Sequence, residues 1–172
     1  HYNITTADPP ELVYHIRSQP DVTCERPVMS MWQLIPHKLM PPTRVARYCC
    51  AVLKERGGQE RTVITGVRAA ESAKRRKRSR IETCYKDSTR KYLNLILDWA
   101  TGEVWEYIHA RRLDYCTLYD EGFRRLGCIC CPLSGWRRQR QEAERWPKYK
   151  LLYIKAFDSL VKRRRMQGKP CE

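Results

Sequence analysis

The order of apolar and polar positions predicts a chain of short helices and strands. Residues 1–6 are expected to form a strand, and a helix that Asp8 can cap follows to about Arg17. A second helix begins near Ser30, and Pro36 is expected to shorten or kink it. The first third of the chain therefore mixes strand and helix.

The middle of the chain contains the strongest strand prediction. Thr43 is expected to cap a third helix, which ends at the stop signal of Gly57 and Gly58. Residues 61–66 form a β-branched run stopped by glycine, which is typical of a strand. A second apolar run at 92–97 precedes a helix that Thr101 can cap. Strands alternating with helices indicate the α/β class.

From Ser134 the composition changes to long amphipathic helices, predicted at about 135–145 and 148–167. We therefore expect an α/β domain over residues 1–135 and a basic helical extension over residues 136–172. A chain of 172 residues is long enough for one domain with a substantial core, and too short for two large ones.

Positive charge is concentrated in three blocks. Thirty-four Lys and Arg against nineteen Asp and Glu give a net charge of +15. The blocks lie at 74–80, 137–140 and 162–165. Such a field attracts phosphate-rich partners, whether DNA, RNA or nucleotides. The alternative is that these residues form solvated helix faces that promote solubility.

No targeting or membrane segment is apparent in the sequence. The first residues lack the basic and apolar regions of a signal peptide, and no stretch approaches the ~20 apolar residues of a membrane span. We therefore expect a cytoplasmic protein without a membrane partner. Its thiols would stay reduced, so cysteine patterns indicate metal binding or catalysis rather than disulfides.

Two separated cysteine pairs are the main candidate for chemistry. Cys49 and Cys50 are adjacent, and Cys128 and Cys131 form a C-x-x-C motif. Four soft ligands suit either zinc or an iron–sulfur centre, and adjacent side chains that diverge favour the several irons of a cluster. Zinc, and free or disulfide-bonded thiols, remain open alternatives.

One segment directly after a predicted strand has a recognisable pattern, G-x-R-x-x-x-S-x-x-R, running from Gly66 to Arg75. A second, at the C-x-x-C motif, reads Arg-Leu-Gly-Cys-x-x-Cys-Pro and ends at Pro132. With other segments in the same order, these matches run from about residue 1 to 135. They resemble the phosphoadenosine phosphosulfate (PAPS) reductase family, within the ATP-pyrophosphatase (PP-loop) superfamily.

The resemblance implies a partial parallel sheet like that of adenine-nucleotide hydrolases, flanked by helices, and two sets of site residues. The first set would hold a 4Fe-4S cluster, with zinc as the alternative, and comprises Cys49, Cys50, Cys128 and Cys131. The second would bind substrate phosphate or sulfate and comprises Gly66, Arg68, Ser72 and Arg75. Arginine offers a fixed fork that suits such oxyanions. Arg75 could instead belong only to the basic run.

Two departures from the family pattern limit what the resemblance implies. The nucleotide loop of the family, Ser-Gly-Gly-x-Asp-Ser, does not occur in this sequence. We therefore expect an N-terminally incomplete domain, from a truncated or split protein, that binds ATP poorly and is inactive alone. ATP or an adenylyl-sulfate nucleotide would bind once that loop is supplied.

The second departure is the reductive cysteine. The family motif Glu-Cys-Gly-Leu-His is replaced by Pro170-Cys171-Glu172, without the glycine and histidine that would activate a thiolate. The resemblance then favours an ATP pyrophosphatase that activates an acceptor for sulfur transfer, as in DNA phosphorothioation or tRNA thiolation. Its partners would be an adenine nucleotide and a cysteine desulfurase or other sulfur donor. The alternatives are an adenylyl-sulfate (APS) or PAPS reductase, and a non-enzymatic metal-containing module that binds nucleic acid.

Overall fold

A computed structural model describes residues 1–170. Over that range strands and helices alternate, which confirms the α/β class. In chain order the elements are β1 (Tyr2–Asn3), α1 (Pro10–Ser18), β2 (Cys24–Glu25), α2 (Met31–Lys38), α3 (Tyr48–Leu53), β3 (Thr62–Thr65), α4 (Ala73–Arg76), β4 (Ile81–Cys84), β5 (Asp87–Asn94), α5 (Thr101–Ala110), α6 (Trp136–Arg145) and α7 (Pro147–Met166), with 3₁₀ turns at Ala69–Glu71 and Thr117–Tyr119.

The elements gather into two compact units. One contains residues 1–56 together with the described residues from Tyr115 on, and the other contains residues 57–114. The predicted domain boundary at residue 135 does not coincide with this division. Helix α7 packs against α2 and buries Tyr153 and Leu160, so the C-terminal helices belong to the first unit rather than forming an extension.

The main core of the first unit lies between α2, α3 and α7. Met31, Leu34 and Ile35 of α2 are almost completely buried there. Ser30 caps α2 through a capping box with Gln33, whose backbone N–H donates to Ser30 Oγ at 3.3 Å. Pro36, expected to shorten the helix, lies inside it, and α2 ends two residues later at Lys38. Beside this core, β1 and β2 form a parallel pair.

Two arginines of the third basic block hold the end of α2. Arg164 Nη1 donates to the carbonyl of Leu39 at 2.7 Å, and Arg163 Nη1 donates to that of Pro36 at 3.4 Å. The last carbonyls of a helix have no partner within the helix, so cations there satisfy them and interact favourably with the helix dipole. Half of this basic block therefore has a structural role.

The second unit is built on a three-stranded sheet in the order β3-β5-β4. Strands β3 and β5 are parallel, with Thr62 opposite Lys91 and Thr65 opposite Asn94. Strand β4 is antiparallel to β5, so this sheet is mixed. Asn94 is fully buried and donates its amide to the Ser79 carbonyl at 2.7 Å. The parallel pair is the part of the sheet that bears on the predicted anion strip.

Three predicted caps act differently from the expectation. Asp8 does not cap α1, which follows Pro9 without a side-chain cap, and its carboxylate instead accepts the Thr5 N–H at 2.7 Å. The Thr43 hydroxyl accepts the N–H of Ala46 at 2.9 Å and caps a turn, and α3 begins only at Tyr48. Thr101 is the first residue of α5 rather than its cap. Among residues 1–170 no helix combines the length and apolar character needed to cross a bilayer.

Candidate functional site

The first unit brings the four predicted thiols together. Cys49 on α3 and Cys128 in the loop before α6 are both buried in the core cluster around α2 and α7. Cys50 and Cys131 are partly buried and pack against that same cluster. All four are free thiols. Two segments far apart in sequence thus present their cysteines to one place.

Two cations lie beside these thiols. Arg47, just before α3, places Nη2 3.5 Å from Cys50 Sγ. Lys54, just after α3, hydrogen-bonds the Cys128 sulfur. Burial disfavours the Lys54 ammonium, but Cys128, Asp8 and Cys50 raise the pKa of Lys54 above its ordinary value. Positive charge at both ends of α3 therefore stabilises thiolates at this position.

The pKa values of the two adjacent cysteines shift in opposite directions. The hydrogen bond between them and then burial raise the pKa of the Cys49 thiol. The same hydrogen bond, aided by the Arg47 guanidinium, lowers the pKa of Cys50. Burial raises the pKa of Cys128, against the influence of Lys54 and the Thr5 hydroxyl. Metal binding requires thiolates and releases these protons.

The N-terminal segment closes the other side of the thiol group. Cys128 Sγ donates to Thr5 Oγ1 at 3.4 Å, and the Thr5 hydroxyl donates to the buried Asp8 carboxylate at 2.7 Å. The N–H of Ile129 donates to the Ala7 carbonyl at 2.7 Å. The cysteine loop is therefore fixed to residues 5–8 by both its backbone and its first thiol.

Cys130 differs from its neighbours. Its thiol donates to the Gln139 carbonyl at 3.5 Å and lines a cavity of about 290 Å³ whose walls include Pro42 and Phe157. Burial, followed by the nearby Glu142 carboxylate, raises the pKa of Cys130 to about 11. Cys130 packs against the same core cluster as Cys50 and Cys131, so its role as an additional thiol, which the family resemblance implies, stays a prediction.

The four thiols would offer a metal ion or cluster soft sulfur donors. Across residues 1–170 no three Cys, His, Asp or Glu side chains stand in an arrangement that would hold a single metal ion. The four thiols nevertheless share one core cluster, with two cations adjacent. Soft thiolates are the ligands of iron–sulfur clusters, whose properties depend on nearby charge and hydrogen bonds. The residues present fit such a group.

The predicted anion strip lies in the second unit, at the carboxyl end of β3. Gly66 follows the strand, and a Cβ built there would meet only Ile96 Cδ1, at 3.9 Å, so packing does not require glycine. Ala69 N donates to the Leu97 carbonyl, just beyond β5, at 2.7 Å. The strip therefore spans the carboxyl ends of two parallel strands, the edge at which ligands bind in open α/β sheets.

One carboxylate joins the two arginines of the strip. Arg68 Nη2 lies 3.7 Å from Glu71 Oε1, and Arg75 Nη1 pairs with Glu71 Oε2. Arg68 is only 15% exposed and also donates to Thr101 Oγ1 at 3.2 Å. Ser72 caps α4 by accepting the Arg75 N–H at 3.2 Å. Both guanidinium groups are thus held in fixed positions.

Sequence reasoning missed several of these partners. Glu71 was detectable, because it lies three and four residues from the two arginines, the spacing of ion pairs on a helical turn. Arg47 was also detectable, three residues before Cys50. Thr101 was not, because its contact with Arg68 joins segments 33 residues apart.

Several basic residues are already engaged in ion pairs. Arg78 pairs with Glu82, and Arg80 pairs with Asp98. On α6, Arg138 contacts Glu142 at 2.7 Å and Arg140 contacts Glu144 at 3.0 Å, each four residues apart. These pairs account for part of the positive charge in two blocks. The predicted DNA or RNA partner stays a prediction.

Comparison with known proteins supports the same family. The family model described as "Phosphoadenosine phosphosulfate reductase domain" matches residues 20–134. An adenosine 5'-phosphosulfate reductase from Oceanobacillus iheyensis is 29% identical over 143 residues, which cover 80% of this chain and 56% of that protein. One from a Geobacillus species is 32% identical over 92 residues, covering 50% and 39%. The chain spans roughly half the length of these curated relatives.

A solved structure shares the fold. The phosphoadenylyl-sulfate reductase from Candida auris, crystallised as a phosphate complex, aligns with a TM-score of 0.50 at 20% sequence identity. The alignment covers 72% of this chain and 66% of that protein. At this identity the match shows a common fold, while the family model covers well over half of the chain. The chain therefore belongs to the phosphoadenosine phosphosulfate reductase domain family, within the PP-loop superfamily.

Proposed function

We propose that this chain is the cluster-bearing part of an adenine-nucleotide enzyme of sulfur metabolism. The observation that carries the proposal is the packing of Cys49, Cys50, Cys128 and Cys131 against one core, with Arg47 and Lys54 beside them. These thiols would hold a 4Fe-4S cluster. When bound, such a cluster supplies a one-electron centre whose potential depends on local charge and hydrogen bonds.

The substrate class proposed for the second unit is an adenylyl nucleotide bearing phosphate or sulfate. Arg68 and Arg75 supply the fork-shaped donors that such oxyanions require, and they lie at the carboxyl edge of parallel strands. The phosphate complex of the Candida auris reductase supports this class. So do the relatives named adenosine 5'-phosphosulfate reductase.

The reaction we propose is activation of an acceptor for sulfur transfer. An acceptor oxygen attacks the α-phosphorus of ATP, and pyrophosphate leaves. Hydrosulfide from a donor then attacks the adenylated acceptor and AMP leaves, so that sulfur replaces oxygen without a change of oxidation state. The sequence feature behind this choice is that Cys171 lies between Pro170 and Glu172, whereas the reductive cysteine of the family motif lies between Glu and Gly. Cys171 lies outside the described residues, so its placement adds nothing to the argument.

Reduction of a sulfonucleotide is the second candidate, and the names of the relatives favour it. The two reactions differ in their products. A reductase converts adenylyl sulfate and two thiols into sulfite, AMP and a disulfide. An acceptor-activating enzyme, supplied with a segment carrying the missing nucleotide loop, releases pyrophosphate and AMP from ATP. Sulfite release by the unmodified protein would overturn our preferred reaction.

The cluster is tested by metal content. Anaerobically purified protein should contain roughly four irons and four sulfides per chain, the content of one cubane. Replacing Cys49 or Cys128 by Ser should abolish or strongly reduce that iron. Cys130→Ser is the matched control, because its thiol occupies the same loop but faces Gln139, and it should retain iron. Purified protein that contains zinc but no iron would show that these thiols hold a structural zinc ion and not a cluster.

A further inference from the structure

The loop that carries Cys128 and Cys131 is held from outside by side chains of α6 and α7. Gln139 Nε2 donates to the carbonyls of Cys131 and Ser134, at 2.9 and 3.2 Å. From α7, the Tyr153 hydroxyl donates to the Ile129 carbonyl at 3.0 Å. Polar groups of this loop thus find partners on the C-terminal helices, in addition to the bonds within the loop from the Ser134 N–H and hydroxyl to the Cys131 carbonyl.

Glu142 of α6 also contacts this loop, and its side chain is more buried than that of Tyr153. Glu142 is 2% exposed, and its Oε2 accepts the backbone N–H of Cys130 at 2.7 Å. Its Oε1 accepts Arg138 Nε at 2.7 Å. A buried carboxylate is costly unless charge and hydrogen bonds compensate it. By contrast Glu144, two residues on, is 67% exposed and pairs with Arg140.

The backbone that Glu142 holds is in an unfavourable conformation. Cys130 has φ of 52°, in the left-handed region, which costs a residue with a Cβ about 1–2 kcal/mol. A charge-assisted hydrogen bond contributes an amount of the same order. Glu142 therefore offsets the cost of a conformation placed between Cys128 and Cys131.

We propose that Glu142 is a positioning residue for the metal centre. Its buried carboxylate holds the left-handed turn at Cys130, and that turn keeps Cys131 packed with Cys49 and Cys128 while the Cys130 thiol faces the cavity. This inference rests on the proposed cluster. It gives α6, whose basic sequence suggests a surface for phosphate, a second role as the support of the cysteine loop.

The test compares three variants on one helix. Glu142→Leu removes the acceptor for Cys130 N–H, Glu142→Gln keeps an oxygen acceptor without the charge, and Glu144→Gln is the matched control. Each is purified anaerobically and checked for folding by circular dichroism. The measurements are iron per chain, the electron paramagnetic resonance spectrum of the reduced protein, and the rate at which its visible absorbance bleaches in air.

Glu142→Leu should bleach about tenfold faster than wild type, or more. Removing a residue that supports a metal ligand typically changes metal affinity on this scale. The resonance spectrum of the Leu variant should also change, which lost fold stability alone would not cause. The Gln variant should be intermediate, and the Glu144 variant should match wild type. Wild-type-like spectra and bleaching in both Glu142 variants would overturn the positioning role.

A second measurement separates this inference from the proposed function. Wild-type protein that takes up no iron would overturn the cluster itself. In that event the same variants are alkylated with iodoacetamide as metal-free proteins, and modification of each cysteine is followed by mass spectrometry. Faster alkylation of Cys131 in Glu142→Leu than in Glu144→Gln would support the positioning role, and equal rates would overturn it.

Discussion

Arg68 is the residue of the anion strip with the most restricted geometry. Two neighbours fix its guanidinium, Glu71 on one side and Thr101 on the other, and only a small part of it reaches solvent. A side chain held in this way loses little further entropy when it binds an oxyanion. Its removal should therefore affect ligand affinity more than removal of an exposed arginine.

In the protein supplied with the nucleotide loop, replacing Arg68 by Ala should weaken binding of adenylyl sulfate by at least about tenfold, the scale of one charge-assisted hydrogen bond. Isothermal titration calorimetry measures this directly. Arg80→Ala in the same unit is the control, because Arg80 is exposed and pairs with Asp98. Equal losses in both variants would show that the effect comes from net charge and not from the strip.

We expect the ionised carboxylate of Glu82, in the second unit, to make the stability of the fold depend on pH. The Glu82 carboxylate accepts hydrogen bonds from Arg78 Nε at 2.6 Å and from the Ser79 N–H at 2.7 Å. These bonds, chiefly the one from Arg78, hold the pKa of Glu82 below its ordinary value. A group whose pKa is lower in the folded state than in the unfolded state stabilises the fold at pH values above its unfolded pKa. That stability is lost as pH falls through the folded pKa.

Glu82→Gln should therefore reduce the free energy of unfolding at pH 7 by about 1 kcal/mol or more. The difference from wild type should shrink as the pH is lowered below the unfolded pKa of glutamate. Denaturant unfolding at several pH values checks this prediction. A difference that stays constant from neutral to acid pH would remove the ionised carboxylate as its cause.

At the scale of single elements, local signals predicted most helices and few strand pairings. The strand at β3 and the helices α6 and α7 follow from residue pattern alone. Strand β4 was not predicted, because the sequence from Ile81 to Cys84 alternates too briefly and its stability comes from pairing with β5. Such a short segment becomes a strand through its partner, which here is the next strand of a hairpin.

The same division between local and distant signals applies to the sites. The cysteine pairs and the Gly66–Arg75 pattern are visible in sequence, because each lies within one short segment. The support that Glu142 gives to Cys130 is not visible, since it depends on how α6 packs beside the loop. Sequence therefore indicated the reactive groups but not what fixes them in position.

The contact between α7 and the end of α2 predicts an effect on stability. Arg164→Ala removes the donor to the Leu39 carbonyl and should lower the free energy of unfolding by about 1 kcal/mol. For a protein of this size that corresponds to a fall in Tm of about 2–4 °C. Arg165→Ala, at an exposed neighbour, is the control and should leave Tm nearly unchanged. A larger effect from Arg165 would contradict the capping role.

At the scale of the whole molecule, buried apolar side chains are unevenly shared between the two units. Among the described residues, only Cys84 and Leu97 contribute buried apolar side chains to residues 57–114. The first unit contains two clusters of such residues. Regions with few buried apolar contacts open more easily.

Amide hydrogen exchange should accordingly be faster in β3 to β5 than in α2 and α7. Mass spectrometry of peptides from the two units measures the difference at neutral pH. Saturating adenylyl sulfate should slow exchange near Gly66 to Arg75 if the strip binds it. Slower exchange in the second unit than in the first, without ligand, would contradict its lower stability.

The carboxylate shared by Arg68 and Arg75 has a further consequence for ligand choice. Glu71 acts as a resident counter-ion, so an incoming anion gains only the difference between its own attraction and that of the carboxylate it displaces or shares. A singly charged anion gains little by this exchange, whereas a doubly charged phosphate or a nucleotide tail gains substantially more. The strip should therefore select ligands by valence. Multivalent phosphates should bind at concentrations at which chloride and acetate do not.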